Sequence, residues 1–138
     1  MKTTFLDTSY LLTLVLTDDA LHERALVWQK QVTGQLQITK YVLLEFVDGM
    51  SEPRLRSLAV QTVSVLRSRP AVRIVPATTA LMDEGLSFFA ARADKAWSLT
   101  DCISFVVMRR KGLADALTSD NHFEQVGFRA MLRASPGE

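Results

Sequence analysis

The sequence predicts an α/β fold built on a mainly parallel sheet, and two patterns carry that expectation. Short apolar runs, TTFLD at the start, LQIT at 36–39, VRIVP at 72–76 and ADALTSD near the end, have strand length and lie between turn residues. Between them lie longer stretches whose apolar residues recur three and four apart, the spacing of amphipathic helices. Strands that alternate with helices build parallel sheets, because a parallel crossover needs about a helix's length of chain.

Composition narrows the function classes before any motif is considered. A chain of 138 residues can bury a real core; residues 1–133 are expected to form a single domain and 134–138 a flexible C-terminal tail. An apolar content of 48% and a charged content of 22% exclude a disordered or collagen-like chain. The formal net charge of +1 gives no global attraction for nucleic acid. Such binding has to rest on local clusters such as Arg54/Arg56, Arg67/Arg69/Arg73 or Arg109/Arg110/Lys111, which solvated helix faces also produce. One cysteine, Cys102, rules out an intramolecular disulfide and suits a reducing cytoplasm. With only His22 and His122 beside it, a Cys/His zinc centre is not expected. The opening MKTTFLDTSYLLTLVLTDD is not expected to act as a secretory leader, since Asp7 interrupts it and no small-residue cleavage site follows. No stretch is apolar for long enough to span a bilayer. A cytoplasmic protein without a membrane partner is expected.

Each element has a local justification. TTFLD forms a first strand ending at Asp7, and Thr8 or Ser9 caps a helix through YLLTLVL. Asp18 or Asp19 starts a second helix carrying Leu21, Ala25, Leu26 and Trp28, and Gly34 ends it. LQIT is the second strand, after which Thr39 caps the helix KYVLLEFVDGM. Glu52-Pro53 breaks the chain before the helix RLRSLAVQTVSVLRSR, in which Leu55, Leu58, Thr62 and Leu66 mark one face; Pro70 stops it. VRIVP is the third strand and TTALMDEGLSFFAARA the helix after it. A buried helix follows in KAWSLTDCISFVVMRR and ends at Gly112. ADALTSD is the fourth strand, HFEQVGF a short helix or turn, and FRAML a last strand. No internal repeat or interdomain linker interrupts this order.

In folds of this kind the carboxyl ends of the strands meet the N-termini of the helices along one edge, where ligands bind. Asp7 ends the first strand, and Asp120 lies just past the fourth. Glu45 lies in the first half of the helix after the second strand, and Asp101 in the first turn of the helix leading to the fourth. All four therefore project toward one edge, and they converge if the fourth strand lies beside the first. Carboxylates so gathered repel one another unless a cation joins them, and oxygen ligands suit Mg²⁺ or Mn²⁺.

Each acid also has a purely local use. SLTD at 98–101 matches a capping box with Ser98 as N-cap, Asp7 and Asp120 suit caps or turns, and Glu45 suits a wet helix face. Capping and ligation are compatible at Asp101. The hydroxyls of Thr8, Ser9, Thr100 and Thr118 border the acids and can orient a ligand or water. His122 is assigned a structural role, and Trp28 and Trp97 are assigned to packing. Asp18, Asp19, Asp83, Glu84 and Asp94 are surface or helix-start charges.

Four segments, TTFLDTSYLL, the glutamate of TKYVLLEFVDGM, DKAWSLTDCISFVVMRRKG and DALTSDNHFEQVGF, resemble the PIN domain in the same order along the chain, and most closely the VapC-type toxins of bacterial type II toxin–antitoxin systems. The resemblance implies a three-layer α/β/α fold with a parallel sheet in the order 3-2-1-4-5, which sets the first and fourth strands side by side. It implies a Mg²⁺- or Mn²⁺-dependent endoribonuclease whose acidic positions fall on Asp7, Glu45, Asp101 and Asp120, with Thr8 and Thr118 at the accompanying hydroxyl positions. It further implies an RNA substrate, a small cognate antitoxin and a homodimer.

Three other readings compete. A non-toxin PIN-type nuclease in RNA processing would carry the same acids. An aspartyl-phosphate phosphatase would use Asp7 of FLDTS as its nucleophile, but the second aspartate expected two residues later is Ser9. A non-catalytic nucleic-acid or partner-binding module would use the acids to hold a structural cation.

Overall fold

The computed structural model describes residues 2–137. The chain runs through β1 (Thr3–Leu6), α1 (Thr8–Val15), α2 (His22–Gln31), β2 (Gln35–Thr39), α3 (Lys40–Gly49), α4 (Arg56–Ser68), β3 (Val72–Val75), α5 (Thr79–Ala91), α6 (Leu99–Arg110), β4 (Asp115–Leu117), α7 (His122–Val126) and β5 (Arg129–Ala130). Short 3₁₀ turns at Pro53–Leu55 and Met131–Arg133 precede α4 and follow β5. The strands form one five-stranded sheet in the order β3-β2-β1-β4-β5, with every neighbouring pair parallel. Helices flank it in a three-layer α/β/α arrangement. Phe5 pairs with Ala116 and Leu6 with Leu117, so β1 and β4 are neighbours and their carboxyl ends coincide.

The core lies where the sheet meets α1, α3 and α6. Phe5, Ile38, Phe46, Ile103, Phe105, Met108, Leu117 and Phe123 are among its fully buried side chains. In α6 the burial runs through Asp101, Cys102, Ile103, Ser104 and Phe105, which explains why this helix lacks a polar face over that stretch. Phe105 meets Trp97 edge-on at 5.3 Å and Phe123 at 4.9 Å between centroids. Trp97 donates its Nε1 proton to Gln125 at 2.8 Å. Cys102 is a buried free thiol, its pKa pushed up by burial and by the Asp101 charge, as suits a packing residue. Among the described residues no helix is long and apolar enough to cross a membrane.

Three local assignments shift. The cap of α1 is Asp7, not Thr8 or Ser9: its backbone is extended (φ −99°, ψ 159°) and its carboxylate accepts the Ser9 amide. α2 starts at His22, because Asp19 instead accepts the amide of Leu21 at 2.8 Å and closes a turn before the helix. The inner face of α4 is Leu55, Ala59, Val63 and Leu66, while Leu58 is exposed and Thr62 bonds back to the Leu58 carbonyl. The small side chain of Ala59 allows that rotation by letting α4 approach closely. Thr39 and Ser98 cap α3 and α6 as expected, and Gly112 takes the left-handed conformation (φ 66°) that ends α6. Of the expected tail, Ala134 is tied to α2 through its carbonyl, which accepts from Trp28 at 3.2 Å; Glu138 lies outside the described residues.

α5 and α6 approach so closely that a Cβ on Gly85 would overlap Cγ1 of the buried Ile103. Gly85→Ala is therefore expected to lower stability by about 1–3 kcal/mol through overpacking. That outweighs the roughly 1 kcal/mol alanine gains over glycine in a helix interior, and the urea-unfolding midpoint measures the net loss.

Candidate functional site

At the carboxyl ends of β1 and β4 a cleft of about 580 Å³ opens. Asp7, Glu45, Asp101 and Asp120 all line it, together with Ser98 and His122. The sequence placed these four acids on one edge, and the side-by-side pairing of β1 and β4 is what brings Asp7 and Asp120 together.

Asp7 is the most buried of them, only 4% exposed. Its Oδ2 accepts from Thr118 Oγ1 at 2.8 Å, Ser9 Oγ at 2.9 Å and the Ser9 amide at 3.4 Å. Ser9 and Thr118 lie 3.0 Å apart, and each also accepts a backbone amide from the turn after β4, Ser119 onto Ser9 and Asp120 onto Thr118. This knot fixes Asp7 against the loop that carries Asp120. The bonds from Ser9 and Thr118 all fall on Oδ2, on the side of the carboxylate that faces the loop after β4. The Thr118 hydroxyl thus holds the Asp7 carboxylate, whereas the Thr8 hydroxyl, which also borders the cleft, is buried and finds no hydrogen-bond partner.

Asp101 sits at the third position of α6 inside a full capping box: its amide donates to Ser98 Oγ at 3.0 Å and its Oδ2 accepts the Ser98 amide at 3.3 Å. The same Oδ2 lies 3.3 Å from His122 Nδ1. Asp120 Oδ1 accepts the His122 amide at 2.8 Å and also lies 3.3 Å from His122 Nδ1. His122 therefore stands between two of the acids, a place the sequence reading did not give it. The signal was the spacing Asp120-Asn121-His122, which turns the imidazole back over the carboxylate two residues earlier.

Burial raises the pKa of Asp7 to about 6; hydrogen bonds from Thr118 and Ser9 offset part of this, and the Asp101 charge adds to it. Asp101 is likewise raised, by burial first and then by the Asp120 charge, against the pull of His122. Each carboxylate is thus disfavoured by lost water and by its neighbour. Among the described residues the ion pairs leave these four acids without a lysine or arginine partner. Acids elsewhere are paired: Asp115, at the opposite edge of the sheet, lies 2.6 Å from Lys2 and 3.8 Å from Arg129. Asp94 is held by Arg92 at 3.0 and 3.1 Å, and Glu84 by Arg110. Asp101, Asp120 and His122 each offer a ligand atom within 4.8 Å of the others. An acidic cluster, buried at Asp7 and Asp101 and half-buried elsewhere, without a lysine or arginine partner and with oxygen and imidazole donors converging at Asp101, Asp120 and His122, fits a divalent cation.

A parallel sheet in this order with an acidic cleft at the β1/β4 junction defines a class of α/β proteins, and the family comparison agrees with it. The PIN domain model matches residues 4–129, and the chain belongs to that family. The 23S rRNA-specific endonuclease VapC20 of two Mycobacterium tuberculosis strains, CDC 1551/Oshkosh and H37Rv, is 27% identical over 124 residues, spanning 90% of this chain and 94% of VapC20. The crystal structure of M. tuberculosis VapC20, a sarcin–ricin loop cleaving toxin, superposes with a TM-score of 0.87 at 26% identity, covering 96% of this chain and 99% of that one. VapBC2 from Rickettsia felis, solved on a DNA fragment from its promoter, shares the fold alone, with a TM-score of 0.63 and 11% identity over 90% of this chain and 92% of that one.

Asp7 binds its proton more tightly folded (about 6) than unfolded (3.8), so its contribution to stability is complete below pH 3.8 and is lost as pH rises through 6. In chelator, Asp7→Asn is therefore expected to gain on the wild type by up to about 3 kcal/mol between pH 4 and pH 7. Denaturant unfolding of both proteins across that range tests the sign and the size.

Proposed function

We propose that this protein is a Mg²⁺- or Mn²⁺-dependent endoribonuclease and the toxin of a VapC-type toxin–antitoxin pair. The observation that carries the reading is the gathering of Asp7, Glu45, Asp101 and Asp120 on one cleft of a PIN-family chain. A divalent cation bound there lowers the pKa of water and stabilises charge on a phosphoryl oxygen. Asp101 and Asp120 would hold it from α6 and from the loop after β4, and Asp7 would contribute its carboxylate from the end of β1. Thr118 and Ser9 keep the Asp7 carboxylate from turning. Glu45, which also lines the cleft, would bind the cation or position the attacking water as a base. The water oxygen bonds to phosphorus as the bond to the 3′ oxygen breaks and that oxygen takes up a proton. The products carry 5′-phosphate and 3′-hydroxyl ends. This route does not use the 2′-hydroxyl as nucleophile, and the preference for RNA therefore comes from the binding surface.

The resemblance also brings a cytoplasmic homodimer and a small antitoxin into the proposal. Leu44 and Val47 of α3 and Leu58 and Val60 of α4 expose apolar side chains, and such an antitoxin would cover them by lying over the segments YVLLEFV and RLRSLAV. A basic side chain of the antitoxin entering the cleft would replace the cation among the carboxylates.

Purified protein is expected to cut RNA in Mn²⁺ or Mg²⁺ and to stop in chelator, with 23S rRNA, the substrate named for the M. tuberculosis relative, the first to try. Asp101→Asn keeps the fold and a capping side chain but weakens ligation. It should cost more than the roughly hundredfold seen for loss of an outer-shell partner; near-normal cleavage by this variant would return Asp101 to capping alone. Val60→Arg should weaken antitoxin binding at least about tenfold in a titration while cleavage of free RNA stays at the wild-type rate.

A further inference from the structure

We propose that His122 is a direct nitrogen ligand of the cation, so that the centre is a mixed oxygen–nitrogen site that favours transition metals over Mg²⁺. This rests on the metal-dependent reading above. His122 Nδ1 is 3.3 Å from Asp101 Oδ2 and 3.3 Å from Asp120 Oδ1. A neutral imidazole carries a hydrogen on one ring nitrogen only, so as a donor Nδ1 serves one of these oxygens and leaves the other unserved. Both separations are also longer than the roughly 2.7–2.9 Å of a charge-assisted hydrogen bond. Three atoms around one cation at about 2.1 Å, in the near-octahedral arrangement such ions take, stand about 3 Å apart when adjacent. Nδ1 stands close to that distance from each carboxylate oxygen, and ligand atoms of all three residues lie within 4.8 Å of one another, so a shared cation satisfies all three where a single proton does not.

The imidazole is also held in place for this. The His122 amide is bonded to Asp120 Oδ1 at 2.8 Å, and the next residue, Phe123, is buried with its ring 4.9 Å from Phe105 and 6.4 Å from Phe5. The side chain keeps 27% of its surface exposed and Nε2 has no hydrogen-bond partner among the described residues. Nε2 thus faces water, while Nδ1 faces the two acids. Imidazole donors raise affinity for late first-row metals far more than for Mg²⁺, which keeps to oxygen.

Pulsed EPR on the Mn²⁺-loaded wild type, prepared with natural-abundance and with ¹⁵N-labelled histidine, tests the bond itself. A nitrogen coupling that changes with the label is expected, since the other histidine, His22, bonds the Thr13 carbonyl at 3.0 Å and does not line the cleft. Calorimetry with Co²⁺ and Mg²⁺ on wild type and His122→Asn adds the second readout. Co²⁺ affinity should fall about tenfold or more with Mg²⁺ affinity little changed, because asparagine keeps a hydrogen-bond donor but not the imidazole. Absence of a label-dependent coupling, or equal weakening of both metals, would make His122 only an orienting group and overturn the inference. If Mn²⁺ binds, and Asp101→Asn abolishes binding, while the coupling is missing, this inference falls and the nuclease reading stands. If the wild type binds neither metal, both fall. The EPR result decides even if the variant fails to fold.

Discussion

The arrangement of this protein depends on keeping carboxylate charge where water cannot reach it. Asp7 sits at the carboxyl end of a central strand, almost wholly buried, and pays for that position with a proton affinity raised to about 6. The three hydrogen bonds on its Oδ2 offset part of the cost of lost hydration. They leave the mutual repulsion with Asp101 in place, which only an added positive charge removes. The surrounding fold is the scaffold that holds these charges together against that repulsion. Aromatic packing of Phe105 against Trp97 and Phe123 anchors α6 beside α7, and the tight contact at Gly85 fixes α6 against α5.

Asp101 shows how one residue meets two demands. Its amide and one carboxylate oxygen are engaged with Ser98, which begins α6 in a fixed direction. The N-terminus of a helix also tolerates negative charge, because the unpaired amides of the first turn carry partial positive charge. Capping thus reduces the cost of placing an acid in the cleft. The hydrophobic sequence that follows, Cys102 to Met108, is buried on nearly every side and prevents the helix from rolling its acid away.

Much of this was legible in the sequence, for reasons that differ by element. Strand length and helical spacing located the longer strands and helices, because local periodicity reflects one-sided burial, while the segment of α7 was read as a short helix or turn. The order of the strands followed from family resemblance, since the pairing of β1 with β4 has no local signature. The errors came where two polar residues compete for one role. Asp7, Thr8 and Ser9 can all cap α1, and the choice of Asp7 depends on Thr118 reaching it from β4. Asp19 was read as a helix start and closes a turn instead. The inner face of α4 was rotated because the small Ala59 was passed over in favour of larger apolar residues. The four acids were placed on the cleft edge from topology, whereas His122 was given a structural role. Its imidazole meets Asp120 within the local turn and Asp101 across the fold, 21 residues away in sequence, and no spacing within the 120–122 turn reports the second contact.

The knot between Asp7 and Thr118 joins residues 111 positions apart. A chain emerging from the ribosome completes β1, β2 and β3 well before β4 exists, and until then β1 is an open edge of a three-stranded sheet. Contacts that close so long a loop form late and slow folding. The cleft therefore cannot assemble until residues near 120 have been made, since it needs Asp7 from the first strand and Asp120 from the loop after the fourth. An enzyme that attacks RNA would in this way stay inert until its fourth strand is in place.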